Sequence, residues 1–200
     1  MENKEKRERT RATLKNALIA LCDEKSYYDI TIWDICNKAG AYRSTFYRYF
    51  DTKDEMLREI EREYLETTRA LTPSIHSFHP DAPPEQMAVY LAELTADMEY
   101  HLKNERLCRF LLSAAGDIWF YGKMKESVSA TSRKSLENEK LPRRDSMDYR
   151  INFFAAGFID TIHTWLQKKD RTPAQMAAFL LEMLVTAYGS GRYTPPQARC

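Results

Sequence analysis

A cluster of cationic, hydroxyl and aromatic side chains lies between residues 43 and 48. If this stretch is a helix that buries Phe46 and Phe50, four residues apart, its other side chains project outward. These outward residues are Arg43, Ser44, Thr45, Tyr47 and Arg48. Such groups on one short helix are suited to contact with DNA. An ordinary helical hairpin with a solvated outer face is the alternative that the pattern leaves open.

Two short helices joined at Gly40 must hold this cluster in place. The spacing of the apolar residues predicts these helices over residues 32–39 and 43–50. Thr31 precedes the first helix and Asp34 follows three residues later, which is a variant of the capping box. A helix, a turn with a glycine and a second short helix with polar groups outward are typical of a helix-turn-helix DNA reader.

The remainder of the chain also has helical periodicity, and strand patterns are nearly absent. The sequence therefore predicts an all-α fold with an N-terminal helix-turn-helix three-helix domain. A larger C-terminal helical bundle follows and ends in a two-helix dimerisation face. Further helices are predicted over residues 10–25, 53–70, 84–103, 107–114 and 146–167, from residue 118, and from residue 172 to residue 188. Thr52 and Glu55 form a second capping pattern, at the start of the helix over 53–70.

A proline-rich connector over residues 73–84 is the clearest boundary in the sequence. It predicts a helix-turn-helix domain over residues 1–52, a connecting helix over 53–72 and a regulatory and dimerisation domain over 73–200. The charged residues 1–9 are expected to be a frayed arm, and the tail from 190 to 200 a loose end.

The composition indicates a globular protein of 200 residues with 44% apolar residues and a net charge of +1. Only the first 50 residues are basic, with ten Lys or Arg against seven Asp or Glu, so any nucleic-acid surface must be local. No signal peptide or membrane span is evident, which predicts a cytoplasmic protein without a membrane partner. The four cysteines, Cys22, Cys36, Cys108 and Cys200, lack metal spacing and are expected to be reduced thiols.

Patterns typical of enzymes are absent from the sequence: it contains no Gly-rich phosphate loop, GxSxG or HExxH. Carboxylate pairs such as Glu61/Glu63 and Glu137/Glu139 lie in polar segments and indicate a charged surface. His76 and His79 are three residues apart in the connector. They are expected to be surface histidines rather than zinc ligands, because no cysteine stands at ligand spacing. The sequence therefore predicts neither an enzyme, nor a cofactor, nor a metal site.

The last two predicted helices are apolar on more than one face, so a second copy of the chain is expected to cover them. In this interpretation Ile151, Phe154, Phe158 and Ile162 lie on the inward side, and Phe153, Ile159 and Trp165 on the outward side. The predicted dimer interface comprises Phe153, Ile159, Ile162, Trp165, Phe179 and Met183.

Three segments, 30–40, 43–50 and 53–57, resemble the N-terminal domain of the TetR family of transcriptional regulators in both order and spacing. The resemblance covers about residues 8–60 and includes the Ala-Gly turn, the Thr-Phe-Tyr-x-x-Phe helix and Lys-Asp-Glu-x-Leu. The rest of the chain resembles the family only in plan. Residues 153–158 with Trp165 and Leu166 are similar to a branch linked to dihydroxyacetone metabolism, some of whose members are coactivators.

The resemblance implies a DNA-binding site in which Arg43, Ser44 and Thr45 face base edges, where arginine suits guanine and the threonine methyl suits thymine. Thr31, Tyr47 and Lys53 match positions that contact phosphate. The full predicted DNA-binding set is Thr31, Tyr42, Arg43, Ser44, Thr45, Tyr47, Arg48, Tyr49 and Lys53.

Ala41 and Tyr42 depart from the family pattern, which has a small apolar residue followed by serine or threonine. The loss of a hydroxyl N-cap costs about 0.5–2 kcal/mol of helix stability. The departure leaves altered operator choice and weakened DNA binding as open alternatives.

The resemblance implies a homodimer that binds double-stranded operator DNA. It also implies that the protein is a repressor and that a small-molecule effector relieves the repression. The alternative is a coactivator or adaptor that acts through a protein partner. An effector pocket and an ordinary core both remain open for one aromatic cluster: Tyr90, Met98, His101, Trp119, Tyr121, Phe154 and Phe158. The helix over 53–70 is expected to transmit the effector signal.

Overall fold

The computed structural model describes residues 2–112, 119–137 and 147–188 of the chain. Every regular element within these ranges is helical, which confirms the all-α prediction. The helices are α1 Glu2–Leu21, α2 Ile32–Ala39, α3 Arg43–Tyr47, α4 Lys53–Leu71, α5 Pro84–Lys103, α6 Glu105–Leu111, α7 Phe120–Glu137, α8 Met147–Lys168 and α9 Pro173–Tyr188. We refer to α1–α3 as the head and to α4–α9 as the body. None of these helices combines the length and apolar character that crossing a membrane requires.

The head is built around a small core between its three helices. Leu14 and Leu18 of α1 and Ile35 of α2 are fully buried there, together with Phe46 and Phe50. Helix α2 has the predicted limits, whereas α3 ends at Tyr47, three residues earlier than predicted. Phe50 is nevertheless directed into the core, because its N–H donates to the Phe46 carbonyl at 3.0 Å in the turn after α3.

Helix α1 begins at Glu2, so the expectation of a frayed arm over residues 1–9 is wrong for the described residues. Contacts with the body hold the middle of this helix. Arg11 forms an ion pair with Glu59 of α4, and the Lys15 ammonium lies 2.6 Å from the same carboxylate. These ion pairs fix the middle of α1 against α4.

The helices of the body pack against one another in pairs. Helix α5 lies against α9 and α4, while α7 lies along α8 and against the short 3-10 turn Ser74–Ser77. Helix α8 also contacts α6 and α9. The buried side chains of head and body form a continuous apolar core.

Three predicted features fall at the ends of the described ranges. Helix α6 ends at Leu111, so the predicted extension to residue 114 lies partly outside the described residues, as does the predicted helix start at residue 118. The tail over 190–200 and Cys200 are also outside them. Cys22, Cys36 and Cys108 are free thiols, and burial raises the pKa of Cys22 to about 12.

Candidate nucleic-acid interface and interior cavity

Thr31 and Asp34 fix the start of α2. The Thr31 hydroxyl accepts a hydrogen bond from the Asp34 N–H at 3.2 Å, and the Thr31 N–H donates to the Asp34 carboxylate at 2.8 Å. The predicted capping box is therefore confirmed. Hydrogen bonds from Thr31 and from the Lys25 ammonium, 2.9 Å away, hold the pKa of Asp34 well below its usual range. The cap leaves Thr31 exposed at the N-terminal end of α2.

Gly40 ends α2 and sets the direction of α3. Its backbone has φ 63° and ψ 34°, a left-handed conformation that costs a residue with a Cβ about 1–2 kcal/mol. The Gly40 N–H donates to the Asn37 carbonyl at 3.2 Å and the Ala41 N–H to the Cys36 carbonyl at 2.9 Å. These two bonds form a Schellman motif, which closes the end of α2 and turns the chain toward Arg43.

Helix α3 presents the predicted polar face to the outside. Arg43, Ser44 and Arg48 are exposed, Thr45 is half-buried, and Tyr47 packs edge-on against the buried Phe46 ring. Phe46 anchors the inward side of the helix in the head core. The geometry therefore holds a guanidinium and hydroxyl groups on an outward surface of five residues, which is the type of surface that reads base edges in a major groove.

Tyr42 occupies the N-cap position of α3 and is largely exposed. Its side chain is 82% exposed and makes no capping hydrogen bond within the described head. The backbone begins the helix alone, since the Thr45 N–H donates to the Tyr42 carbonyl at 2.9 Å. A phenol thus stands at the edge of the candidate interface, where a hydroxyl cap would otherwise lie.

Lys53 makes contacts that differ from the predicted phosphate contact. Its ammonium donates to the carbonyls of Tyr27 and Ile30 at 2.7 Å each, and to the Tyr28 carbonyl at 3.3 Å. It also lies 4.4 Å from the centre of the Tyr27 ring. An ammonium has three donors, and all three are directed at the turn that precedes Thr31. Burial lowers the pKa of Lys53, and nearby carboxylates oppose that effect. Lys53 thus stabilises the segment 27–30, which precedes α2.

The other residues of the predicted DNA-binding set border the same surface. Tyr49 is half-buried beside the end of α3. A groove between α1 and the turn at Gly40 brings Lys6 and Arg9 near Tyr42 and Thr45. The predicted DNA-binding set does not include these two basic residues, because a solvated terminus is expected for their segment rather than a contact with phosphate.

A cavity of about 100 Å³ lies inside the body, between α4, the turn Ser74–Ser77, α5, α7, α8 and α9. Most of its wall is apolar, and the main contributors are Leu94, Met124, Val128, Phe154, Phe158 and Leu184. Its polar wall includes Thr68, Asp97, His101 and Ser132. Arg69 stands at its exposed edge and donates to the Ser127 hydroxyl at 3.2 Å.

Asp97 and His101 form an ion pair in the wall of this cavity. They are 4% and 1% exposed, and His101 Nε2 lies 3.3 Å from Asp97 Oδ2. The Tyr64 hydroxyl lies 2.9 Å from His101 Nδ1, and Cys108 Sγ lies 3.6 Å from the same nitrogen. Burial alone lowers the pKa of His101, but the Asp97 carboxylate and its hydrogen bond raise it to about 10, so His101 is a cation at neutral pH.

Asp97 has a second carboxylate oxygen with a different environment. Oδ1 is buried and makes no hydrogen bond to any residue that the structure describes. Sequence reasoning missed Asp97, although its position between Leu94 and Met98, on the buried side of α5, is a usable signal of a polar group in the interior.

The structure brings three of the seven predicted pocket residues to the cavity: His101, Phe154 and Phe158. Tyr90 and Met98 are buried elsewhere; the Tyr90 hydroxyl donates to the Ser77 carbonyl at 3.2 Å. Trp119 is 73% exposed and Tyr121 half-buried, and neither belongs to the cavity wall. Helical spacing identified aromatic residues of the body but not the side of each helix that faces the cavity.

Three residues of the predicted dimer interface are buried within one chain. This corrects the predicted outward position of Ile159 and Trp165 and agrees with the predicted inward position of Ile162. Ile159, Ile162 and Trp165 are almost completely buried, because α6, α7 and α9 cover those sides of α8. The Trp165 indole N–H donates to the Arg171 carbonyl at 2.9 Å and fixes the turn before α9.

The outward stripe of α8 contains different residues. Phe153 is 84% exposed, with Tyr149 and Gly157 exposed one turn before and after it. On α9, Met183 is exposed and Phe179 half-buried, its ring lying 5.0 Å from the Arg171 guanidinium carbon. Three of the six predicted interface residues, Phe153, Phe179 and Met183, are therefore accessible to a partner.

Within the described ranges, no group of three or more histidine, cysteine or acidic side chains is arranged so that it could hold a metal ion. His79 is exposed, and its Nδ1 accepts a hydrogen bond from the Asp81 N–H at 3.2 Å.

Comparison with protein families finds matches in both parts of the chain. Residues 16–60 match the family model described as bacterial regulatory proteins of the tetR family. Residues 91–186 match a model described as the C-terminal region of a transcriptional regulator. The first match includes α2, α3 and the start of α4, and the second includes most of the body. No curated protein matches the whole chain or a part of it.

Several solved structures share the fold. A TetR transcriptional regulator from Streptococcus agalactiae is 22% identical, with 92% of this chain and 98% of that chain covered and a TM-score of 0.60. SmeT, the repressor of a Stenotrophomonas maltophilia multidrug efflux pump, is 19% identical, with coverages of 92% and 93% and a TM-score of 0.62. The dihydroxyacetone kinase operon activator DhaS is 15% identical, with coverages of 90% and 96% and a TM-score of 0.59. At these identities the likeness concerns the fold.

Proposed function

Because the chain belongs to the TetR family of transcriptional regulators, we propose that it is a homodimeric repressor that binds operator DNA through α3. A small molecule that occupies the interior cavity relieves the repression. The observation that carries this proposal is the outward face of α3, where Arg43, Ser44 and Thr45 are presented on a helix anchored by Phe46. These residues are the base-reading groups, and Thr31, Tyr47 and Arg48 contact the phosphates.

The test is to select genomic fragments with the purified protein and to measure their affinity by fluorescence anisotropy at several salt concentrations. The expected result is a palindromic fragment that binds at least about 1,000-fold more tightly than random DNA. Arg43→Ala is expected to cost about 1–3 kcal/mol of discrimination at one base pair. Arg62→Ala is the matched control, since Arg62 is exposed on α4 and pairs with Glu66. Equal affinity for all fragments contradicts operator binding.

The dimer places two copies of α3 on one DNA duplex. The stripe of Tyr149, Phe153 and Gly157 supports a partner contact, because two large aromatic side chains lie exposed beside a glycine that allows close helix approach. Phe153→Arg is expected to convert the dimer to a monomer in sedimentation velocity. Val89→Arg on α5 is the control, because Val89 is also an exposed apolar residue, and it is expected to leave the dimer intact. A Phe153→Arg protein that remains a dimer contradicts this interface.

Helix α4 connects the cavity to the head. Leu65, Thr68 and Arg69 line the cavity, while Glu59 on the same helix is bonded to Arg11 and Lys15 of α1. An effector that favours one position of α4 therefore favours one position of the head, and the coupling free energy appears as a change in DNA affinity.

A second function, an adaptor that acts through a protein partner, is favoured by the aromatic residues on the head. Tyr28, Trp33 and Tyr42 are exposed there, and aromatic side chains are enriched at protein interfaces. The adaptor predicts that no DNA fragment is selected. It also predicts that a partner regulator binds the wild-type protein but not a Trp33→Ala/Tyr42→Ala variant, while Arg43→Ala still binds it.

A further inference from the structure

We propose that the effector is a small neutral molecule, about the size of a six-membered ring with one small substituent, whose hydroxyl group donates a hydrogen bond to Asp97 Oδ1. This inference rests on the proposed function, because it names the chemical class of molecule that the regulatory cavity accepts. Three observations carry it: the volume of the cavity, its mainly apolar wall, and a buried carboxylate oxygen of a wall residue, Asp97 Oδ1, that the described residues leave without a donor.

The volume sets the size of the molecule. A dry cavity of about 150 Å³ lined by aliphatic and aromatic residues is able to hold benzene. The cavity here measures about 100 Å³ and has comparable walls, formed by side chains such as Leu94, Phe154 and Leu184. Because this volume is smaller than that of the benzene-binding cavity, a ring with one small substituent is the upper limit and requires movement of the lining side chains.

Asp97 Oδ1 sets the polar group of the molecule. A buried carboxylate oxygen without a donor is energetically costly, and a donor from the ligand removes that cost. Asp97 is held in one orientation, because its other oxygen pairs with His101, which in turn contacts Tyr64. A ligand hydroxyl that reaches Oδ1 therefore meets an acceptor with a fixed position.

The charge of the surroundings excludes ionic ligands. The carboxylate of Asp97 is already balanced by the protonated His101, 3.3 Å away. An ammonium ligand leaves a net positive charge in an apolar space, with Arg69 at its edge adding to the repulsion. A carboxylate ligand is attracted by Arg69 but stands next to the buried Asp97 charge and has no proton to donate to Oδ1. A neutral hydroxyl avoids both penalties and still satisfies Oδ1.

The experiment uses two isosteric pairs of probes with the full chain: phenol with toluene, and benzyl alcohol with benzylamine. Titration calorimetry gives the affinity of each. Phenol is expected to bind roughly 10- to 100-fold more tightly than toluene, as a hydrogen bond to a charged acceptor provides. Benzyl alcohol is expected to bind more tightly than benzylamine by at least the same factor. Equal binding of phenol and toluene, tighter binding of benzylamine, or no binding of any probe each overturns the proposal.

Variants locate the binding. Asp97→Asn is expected to reduce the preference for phenol over toluene to a few-fold, because a neutral amide oxygen is a weaker acceptor. Val128→Phe fills the cavity and is expected to abolish binding of all the probes, whereas Val89→Phe, outside the cavity, leaves it unchanged. If Asp97→Asn fails to fold, Val128→Phe with the wild-type probe pairs still decides the question, since binding that persists in Val128→Phe overturns the proposal.

Anisotropy with the selected operator separates this inference from the proposed function. Hydroxyl-selective binding in the cavity without any effect on DNA affinity supports the ligand class and contradicts effector relief. Release of DNA by toluene and phenol alike supports effector relief and overturns the ligand class.

Discussion

The head and the body place their functional groups by different means. In the head, Arg43 is oriented by residues within a few positions of it: Gly40 turns the chain, Tyr42 begins α3 and Phe46 anchors the helix. In the body, Asp97 is oriented by residues far away in sequence, since its partner His101 contacts Tyr64 of α4 and Cys108 of α6. The position of Arg43 thus depends on caps and turns that each contribute a small free energy. The position of Asp97 depends on a buried ion pair that contributes a large free energy.

The largest effect is expected from the body. His101→Gln removes the cation from a fully buried ion pair and leaves Asp97 without a counter-charge, which costs about 3–5 kcal/mol. The free energy of unfolding, measured in urea at a fixed protein concentration, reports this loss. His163→Gln is the control, because His163 is half-buried on α8 and lies 3.3 Å from the Gln167 amide. Equal stability of the two variants indicates that the Asp97–His101 pair adds nothing to the body.

The same pair predicts a dependence on pH. The pKa of His101 is about 10 in the folded chain and about 6.5 in an unfolded one. Because the folded chain holds the proton more tightly, the stabilisation is complete below pH 6.5 and is lost as the pH rises through about 10. Relative to His101→Gln, the wild type is expected to lose up to about 1.4 kcal/mol per pH unit between those values. Parallel pH profiles of the two proteins contradict a proton held by His101.

Lys53 stands between the two regions, and its removal is expected to have a smaller effect. Lys53→Met leaves the carbonyls of Tyr27 and Ile30 without their donor, at a cost of about 1–3 kcal/mol. Lys38→Met removes only an exposed pair with Glu24 and is expected to cost less than about 1 kcal/mol. Urea unfolding measures both. A Lys53→Met protein of normal stability with a reduced salt dependence of DNA binding instead indicates a phosphate contact.

The sequence predicts the head more accurately than the body. Thr31, Asp34 and Gly40 act within one or two turns, so the limits of α2 are predicted correctly. The outward side of α8 is not, because its exposure depends on α6, α7 and α9, whose arrangement no local pattern gives. Ile159 and Trp165 are therefore assigned to the wrong side. The contacts of Lys53 with backbone carbonyls are not predicted either, because those carbonyls lie more than 20 residues away, and its phosphate contact stays a prediction.

In the head, the conformation of a single glycine has an effect of intermediate size. Gly40→Ala is expected to destabilise the protein by about 1–2 kcal/mol, since φ is 63° although the space around a Cβ is open. Gly122→Ala, on the exposed side of α7 with equally open space, is expected to stabilise it by about 0.5–1 kcal/mol. Opposite signs in thermal unfolding separate backbone conformation from packing. The same sign for both variants contradicts the left-handed turn.

The smallest effect, at Tyr42, tests whether the head is limited by its missing cap. Tyr42→Ser supplies a hydroxyl to the first turn of α3 and is expected to be more stable than Tyr42→Ala by about 0.5–1 kcal/mol. Both variants lose the phenol, so the difference between them isolates the cap. DNA affinity measured on the same pair separates the two consequences of this residue. If the phenol contacts DNA, both variants change affinity equally. If the missing cap limits α3, only Tyr42→Ser binds more tightly than the wild type, because its recognition helix is formed in a larger fraction of molecules.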